Sequence, residues 1–318
     1  MAEDSRPRRG LIVPALGLAV AGFTLLRASR RPPRPGAAFL AGAPLLIAHR
    51  GGSALAPENT LIAFERALDW WGADILELDV QPTADGEVVV FHDATLDRTT
   101  NGSGPVAAHA LADIRELDAG YRFTPGGDDF PFRDRGIRVP TLAEVLDAFP
   151  GVRVNIEIKD GRAQEWVWET IRLAGATERV LIAAGSARNR ARLSGYPVPV
   201  SAGREEIAPF LAQLRLPFRP YTPDVDALQV PDRWQGRKVL SPELVDLAHA
   251  RNIPVHVWTV DDPALMRAYI DWGVDGIVTD RPDLLGRILH ERIGRPLPPG
   301  PSGSVREPFL EGLLASPI

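Results

Sequence analysis

The chain has 318 residues, 45% of them hydrophobic and 24% charged, the balance of a globular chain rather than a disordered or fibrous one. It contains no Cys, which excludes disulfides and thiolate metal sites. Net charge is −5, yet residues 1–35 hold seven Arg against Glu3 and Asp4, and an acidic body with a basic head argues against nucleic acid and for anionic lipid or export machinery.

From Gly10 to Leu26 the head carries 17 uncharged, mostly apolar residues, which suits a short membrane anchor or the core of a signal peptide. Ala19-Val20-Ala21 offers a cleavage site, whereas apolar residues continuing to Leu26 favour an uncleaved anchor. Arg8 and Arg9 form a weak twin-arginine signal, and three Arg before the segment against four after it leave orientation open. Residues 27–36 are Arg- and Pro-rich, a stiff solvated linker. Residues 1–44 are therefore expected to be an anchor or signal segment with its linker, giving a membrane-anchored or exported protein.

Residues 45–293 read as one domain in which short apolar runs alternate with helical patterns. Strands are expected at 45–49, 74–80, 153–158, 179–183, 197–201, 226–230, 254–259 and 275–279. Helices are expected at 58–70, 162–174, 241–251, 263–271 and 283–290. Eight strands in such alternation predict an α/β TIM (β/α)8 barrel, with an open doubly wound sheet as the fallback. The run 87–91 follows the second strand too closely for a parallel crossover and must return antiparallel. With Asp85 and Gly86 as a two-residue turn, Asp79 would lie opposite His92. Residues 97–140 lack a long periodic element and read as an insertion over the barrel mouth with a short helix near 110–117. Residues 294–318 form a Pro- and Gly-rich tail.

The second strand, ILELDV, puts Glu77 and Asp79 on one face, and the third, NIEIK, does the same for Asn155, Glu157 and Lys159. Adjacent carboxylates repel unless a cation or proton intervenes, so Glu77, Asp79 and Glu157 suit a hard divalent ion such as Mg²⁺ or Ca²⁺. A lone E-x-D would read as an exposed strand, but Ile75, Leu76, Leu78 and Val80 surround these acids. His49 and His92 each end an apolar strand before a polar loop, where an imidazole can move a proton near neutral pH. His109, His249 and His290 read as structural or surface residues, and His256 in VHVW could face either way. Arg50 and Lys159 bring positive charge suited to a phosphoryl group, and Lys159 is one of only two Lys beside 34 Arg. Glu58 and Thr60 are accounted for by helix initiation. Asn59 could fix the HRGG loop, and Trp258 is either barrel core or an apolar substrate wall, so both are candidates for a substrate pocket.

The segments AHRGGSALAPENT, ILELDVQPTADGEVVVFHD, NIEIK, VWTVDD and GIVTDRPD occur in order, and the chain resembles the glycerophosphodiester phosphodiesterase family from about residue 45 to 290. The resemblance implies a TIM barrel with a small insertion after the second strand. It implies hydrolysis of glycerophosphodiesters to an alcohol and glycerol 3-phosphate, dependent on Ca²⁺ or Mg²⁺. It assigns His49 and His92 to acid/base catalysis, Arg50 and Lys159 to phosphate, and Glu77, Asp79 and Glu157 to the metal. Two alternatives accompany it: a lysophospholipase D acting on lysophospholipids from the same barrel, and a binding module without catalysis. Head group and oligomeric state are not legible in the chain.

Overall fold

In the computed structural model the described residues are 38–193, 195–216 and 221–301. The expected anchor or signal segment, its linker over 27–36, and the tail beyond residue 301 lie outside them. Among the described residues no helix is long and apolar enough to cross a membrane.

The strands are β1 (Leu45–Ala48), β2 (Ile75–Pro82), β3 (Val88–Val90), β4 (Arg153–Ile158), β5 (Val180–Ala183), β6 (Leu228–Pro231), the short β7 (Arg233–Trp234) and β8 (Arg237–Lys238), β9 (Val255–Trp258) and β10 (Gly276–Thr279). Seven of them form a parallel sheet in the order β5-β4-β2-β1-β10-β9-β6. Parallel bridges from Ile182 to Val200 and from Ser201 to Ala227 join its two ends. The strand expected over 197–201 is therefore a stave of isolated bridges. Pro197 and Pro199 lack the N–H groups that a full ladder needs.

The helices are α1 (Leu61–Asp69), α2 (Leu111–Arg115), α3 (Leu142–Ala148), α4 (Gln164–Leu173), α5 (Arg204–Ala212), α6 (Pro242–His249), α7 (Pro263–Asp271) and α8 (Pro282–Ile293). Their starts follow local chemistry: Thr60 caps α1 through Ala63 N, Thr141 and Glu144 form a capping box on α3, and Asp262 caps α7 ahead of Pro263.

Strand alternation sorts side chains into two layers. Leu76, Leu78, Val80, Val154, Ile156 and Ile158 pack outward with Phe64, Ala67, Val145 and Val167 of the surrounding helices. Inward, Leu45, Ile47, Ile75, Leu181, Ala227 and Val278 meet Phe39 and Leu40, which belong to the segment entering the barrel base. Arg153 Nη1 holds that segment by donating to Phe39 O and Ala41 O, both at 2.8 Å. The tail begins as a strap rather than as loose chain: Arg295 pairs with both oxygens of Asp74, and Gly300 N donates to Trp70 O.

The hairpin register differs from the two-residue-turn expectation. Val80 pairs with Val90 and Pro82 with Val88, and Thr83 N donates to Glu87 O, leaving Ala84, Asp85 and Gly86 as a three-residue loop. The Thr83 hydroxyl accepts from Glu87 N at 2.9 Å and donates to Asp85 Oδ1 at 2.5 Å, which closes the longer loop. Asp79 consequently lies opposite Phe91, whose N–H donates to Asp79 O, and not opposite His92. Gln81 Nε2 donates to His92 O, so the histidine still returns to the carboxylate end of β2. The insertion packs around Val89, Phe91, Leu96, Val106, Ile114, Ala119 and Val139, and Phe132 fastens it to Ala56 and Ala63.

Candidate active site

Above the apolar plug, the inward faces of β2 and β4 turn acidic. Register places Glu77 beside Asn155 and Asp79 beside Glu157. Ligand-capable oxygens of Glu77, Asp79 and Glu157 lie within 4.8 Å of one another. Lys159 Nζ bridges two of them, 2.9 Å from Asp79 Oδ1 and 2.9 Å from Glu157 Oε2. Asn155 Oδ1 is buried and has no hydrogen-bond partner among the described residues. A donor set of three carboxylates and one uncommitted amide oxygen, with an ammonium drawn between two of the acids, has the hard-oxygen chemistry of a divalent cation site.

The electrostatics differ among the acids. Burial and the charge of Asp79 push the Glu77 carboxyl up to about 7. Asp79 goes the other way: burial alone would raise it, but the Lys159 ammonium and the Arg50 guanidinium outweigh burial and hold it below the usual range. Lys159 is likewise held above its ordinary value, because Asp79 and Glu157 outweigh its own burial.

The loop after β1 closes over this cluster. Arg50 N donates to Glu77 Oε2 at 2.9 Å, while its Nε lies 3.1 Å from Asp79 Oδ2 and Nη1 3.0 Å from Glu58 Oε1. Gly51 and Gly52 have φ of 85° and 91°. A Cβ on Gly51 would lie 2.8 Å from Ala63 Cβ, and one on Gly52 2.8 Å from Pro282 Cγ, so both glycines serve a tight turn packed between α1 and α8. Asn59 N donates to Arg50 O, a main-chain bond that closes the HRGG loop, while the Asn59 side chain is spent on Asp79, Nδ2 donating to Asp79 Oδ2 at 3.0 Å.

Both histidines reach the mouth with Nδ1 against a carboxylate. His49 Nδ1 lies 2.6 Å from Asp280 Oδ1, and His92 Nδ1 lies 2.5 Å from Asp93 Oδ1. Burial alone would lower His49, but its hydrogen bond to Asp280 and the Glu77 charge outweigh burial and hold it above its ordinary value. Asp93 is brought down to about 2 by its hydrogen bond from Arg98. Arg98 also grips both oxygens of Glu58, at 2.8 and 2.7 Å. An ion-pair chain thus runs from Asp93 through Arg98 and Glu58 to Arg50 and Asp79. Glu58 does more than start a helix: α1 begins at Leu61, and the Glu58 carboxylate joins two guanidiniums.

Asp280, Asp93, Arg98 and this role of Glu58 escaped the sequence reading. The only available signal was position, since Asp93 follows a singled-out histidine and Asp280 directly follows a strand. His256 faces the barrel interior, its ring against Gly276, and burial brings it down to about 4. It therefore sits neutral below the mouth. Trp258, 39% exposed where β9 pairs with Pro231, is a rim residue and not core. His109, His249 and His290 bond to Ser103 O, Asp275 and Arg295 O, away from this mouth.

A model of the glycerophosphoryl diester phosphodiesterase family matches residues 49–284. A glycerophosphodiester phosphodiesterase from Caldanaerobacter subterraneus is 37% identical over 260 residues, covering 78% of this chain and 98% of that protein. One from Bacillus subtilis is 34% identical over 257 residues, covering 77% and 86%. An Oleispira antarctica phosphodiesterase, solved in complex with the product sn-glycerol-3-phosphate, superposes with a TM-score of 0.64 at 26% identity, covering 77% of this chain and 96% of that one.

Proposed function

The chain belongs to the glycerophosphoryl diester phosphodiesterase family, and on that premise we propose that it hydrolyses glycerophosphodiesters to an alcohol and glycerol 3-phosphate. The observation that carries this reading is the meeting of Glu77, Asp79 and Glu157 within 4.8 Å at the barrel mouth, ringed by Arg50, Lys159, His49 and His92. Those three acids would hold Ca²⁺ or Mg²⁺, with Asn155 within reach of the same layer. The cation, when bound, neutralises phosphoryl charge and acidifies a nearby hydroxyl.

This chain's own residues account for the remaining steps. Lys159 and Arg50, the two cations beside the acids, would bind the phosphoryl oxygens, the guanidinium able to hold two of them. Nδ1 of each histidine is occupied by a carboxylate, which leaves Nε2 of each to handle protons. One Nε2 takes a proton from the nucleophile as its oxygen bonds to phosphorus: water gives glycerol 3-phosphate directly, whereas the glycerol hydroxyl beside the phosphate gives a cyclic diester that water then opens. The other donates a proton to the departing alkoxide as the P–O bond breaks. Asn59 keeps Asp79 and the Arg50 loop in register, and Trp258 offers an apolar rim to the head group.

Release of choline from glycerophosphocholine by the purified chain, with Ca²⁺ or Mg²⁺, tests the proposal. Activity abolished by EDTA and by Glu77→Ala is expected, and release unaffected by either would refute it. Lysophosphatidylcholine in the same assay addresses the lysophospholipase D alternative, which the exposed Trp258 favours and the charged mouth opposes. Attachment to a membrane, or export, is proposed from residues 1–44 on their sequence alone.

A further inference from the structure

We propose that Asp280 is the positioning residue of His49, holding its Nδ1–H so that Nε2 faces the phosphodiester. The inference rests on the reading of His49 as an acid/base group.

A carboxylate only accepts, so the 2.6 Å contact from Asp280 Oδ1 requires the proton on His49 Nδ1. The carboxylate is itself held. Ser53 Oγ donates to the same oxygen at 2.5 Å, and Asp280 N donates to Asp261 Oδ1 at 2.8 Å. Asp261 also accepts from Thr279 Oγ1 at 2.9 Å, and Asp280 O accepts from Ala54 N at 3.3 Å. The pairing of Ala48 with Thr279 places the next residue of each strand side by side, so β1 and β10 deliver His49 and Asp280 to one spot.

Asp93 stands in a different position beside His92. Its carboxylate is shared with Arg98 Nε at 2.6 Å and Nη2 at 3.1 Å. Asp280 makes no ion pair with Lys or Arg among the described residues, and neighbouring Arg281 is committed to Asp283. The charge and the orientation of Asp280 are therefore both directed at one imidazole, which suits an orienting role more than a general structural one.

The substitutions separate the two contributions. In Asp280→Asn, an amide with Oδ1 toward His49 Nδ1–H and the Ser53 hydroxyl keeps the tautomer and loses only the charge, and retention of the His49 N–H resonance identifies that orientation. Asp280→Ala loses both. For glycerophosphocholine hydrolysis with saturating cation, Asp280→Ala should lower kcat on the order of 10²-fold with KM and Tm nearly unchanged, and Asp280→Asn should recover part of that loss. Two low-field imidazole N–H resonances are expected in the wild type, from His49 against Asp280 and from His92 against Asp93; one of them should be lost from both Asp280→Ala and His49→Ala and kept in Asp280→Asn, while the other stays in all four proteins. Wild-type kcat in Asp280→Ala, or a fall in kcat matched by a collapse in Tm in both Asp280 variants, would overturn the proposal. Wild-type kcat in His49→Ala would instead remove the reading on which it rests.

Discussion

Glu77→Gln should abolish activity yet stabilise the metal-free protein at alkaline pH. Glu77 is 5% exposed and lies beside Asp79, and its carboxyl is pushed from 4.5 up to about 7. Between those values the folded chain holds a proton that the unfolded chain has released, so stability falls as pH rises from 4.5 and the full cost is present above about 7. A gap of that size is worth on the order of 3 kcal/mol. Glutamine cannot ionise but still offers Oε1 to Arg50 N, which donates to Glu77 at 2.9 Å. At about 2–4 °C per kcal/mol for a domain of this size, Glu77→Gln should melt roughly 6–12 °C above wild type at pH 8 in EDTA. At pH 4.5 the two should nearly coincide. Added Ca²⁺ or Mg²⁺ at pH 8 should stabilise the wild type by ligand linkage and the variant far less. Thermal unfolding followed by circular dichroism reads both effects. A variant melting at or below wild type at pH 8 in EDTA, or an equal cation-induced shift in both proteins, would refute this account of the acidic cluster.

His256 is buried and brought down to about 4, so it stays neutral when folded while an unfolded chain protonates it near 6.5. Its contribution is fully present above 6.5 and is lost as pH falls through about 4, a loss on the order of 3 kcal/mol that urea midpoints should show in the wild type and not in His256→Gln. Arg98→Ala removes the cation shared by Asp93 and Glu58. Steady-state kinetics should show kcat reduced by about 10-fold or more and KM raised as Arg50 loosens. Gly51→Ala forces a Cβ to 2.8 Å from Ala63 at a φ of 85°. Chemical denaturation should reveal a loss of about 2–4 kcal/mol, whereas an unchanged midpoint would show that the loop relaxes freely.

The staves of the barrel and most of its helices were legible because each has its own signal. Apolar runs of four to eight residues mark strands, and Pro263 after Asp262 marks a helix start, whereas the helix Leu142–Ala148 was not expected although Thr141 caps it. The carboxylate trio was legible for a related reason. Period two places Glu77 with Asp79 and Asn155 with Glu157 before any contact is known, and neighbouring strands then bring the two pairs together. The hairpin register was missed because a side chain decided it: the Thr83 hydroxyl serves both Glu87 N and Asp85, which lengthens the loop by one residue.

Chain pattern alone thus established the barrel, the mouth and the ionisable groups on it, since all of these follow from local periodicity and strand polarity. Tertiary structure alone decided how those groups are paired. Asp280 meets His49 across 231 residues of sequence, and Arg98 reaches Glu58 across 40. Such contacts form only when the ring closes and the insertion packs on Ala56 and Ala63, and no local pattern encodes them. The same closure determined that His256 is buried below the mouth and Trp258 left at its rim, because which residues meet water depends on the packing of the whole barrel.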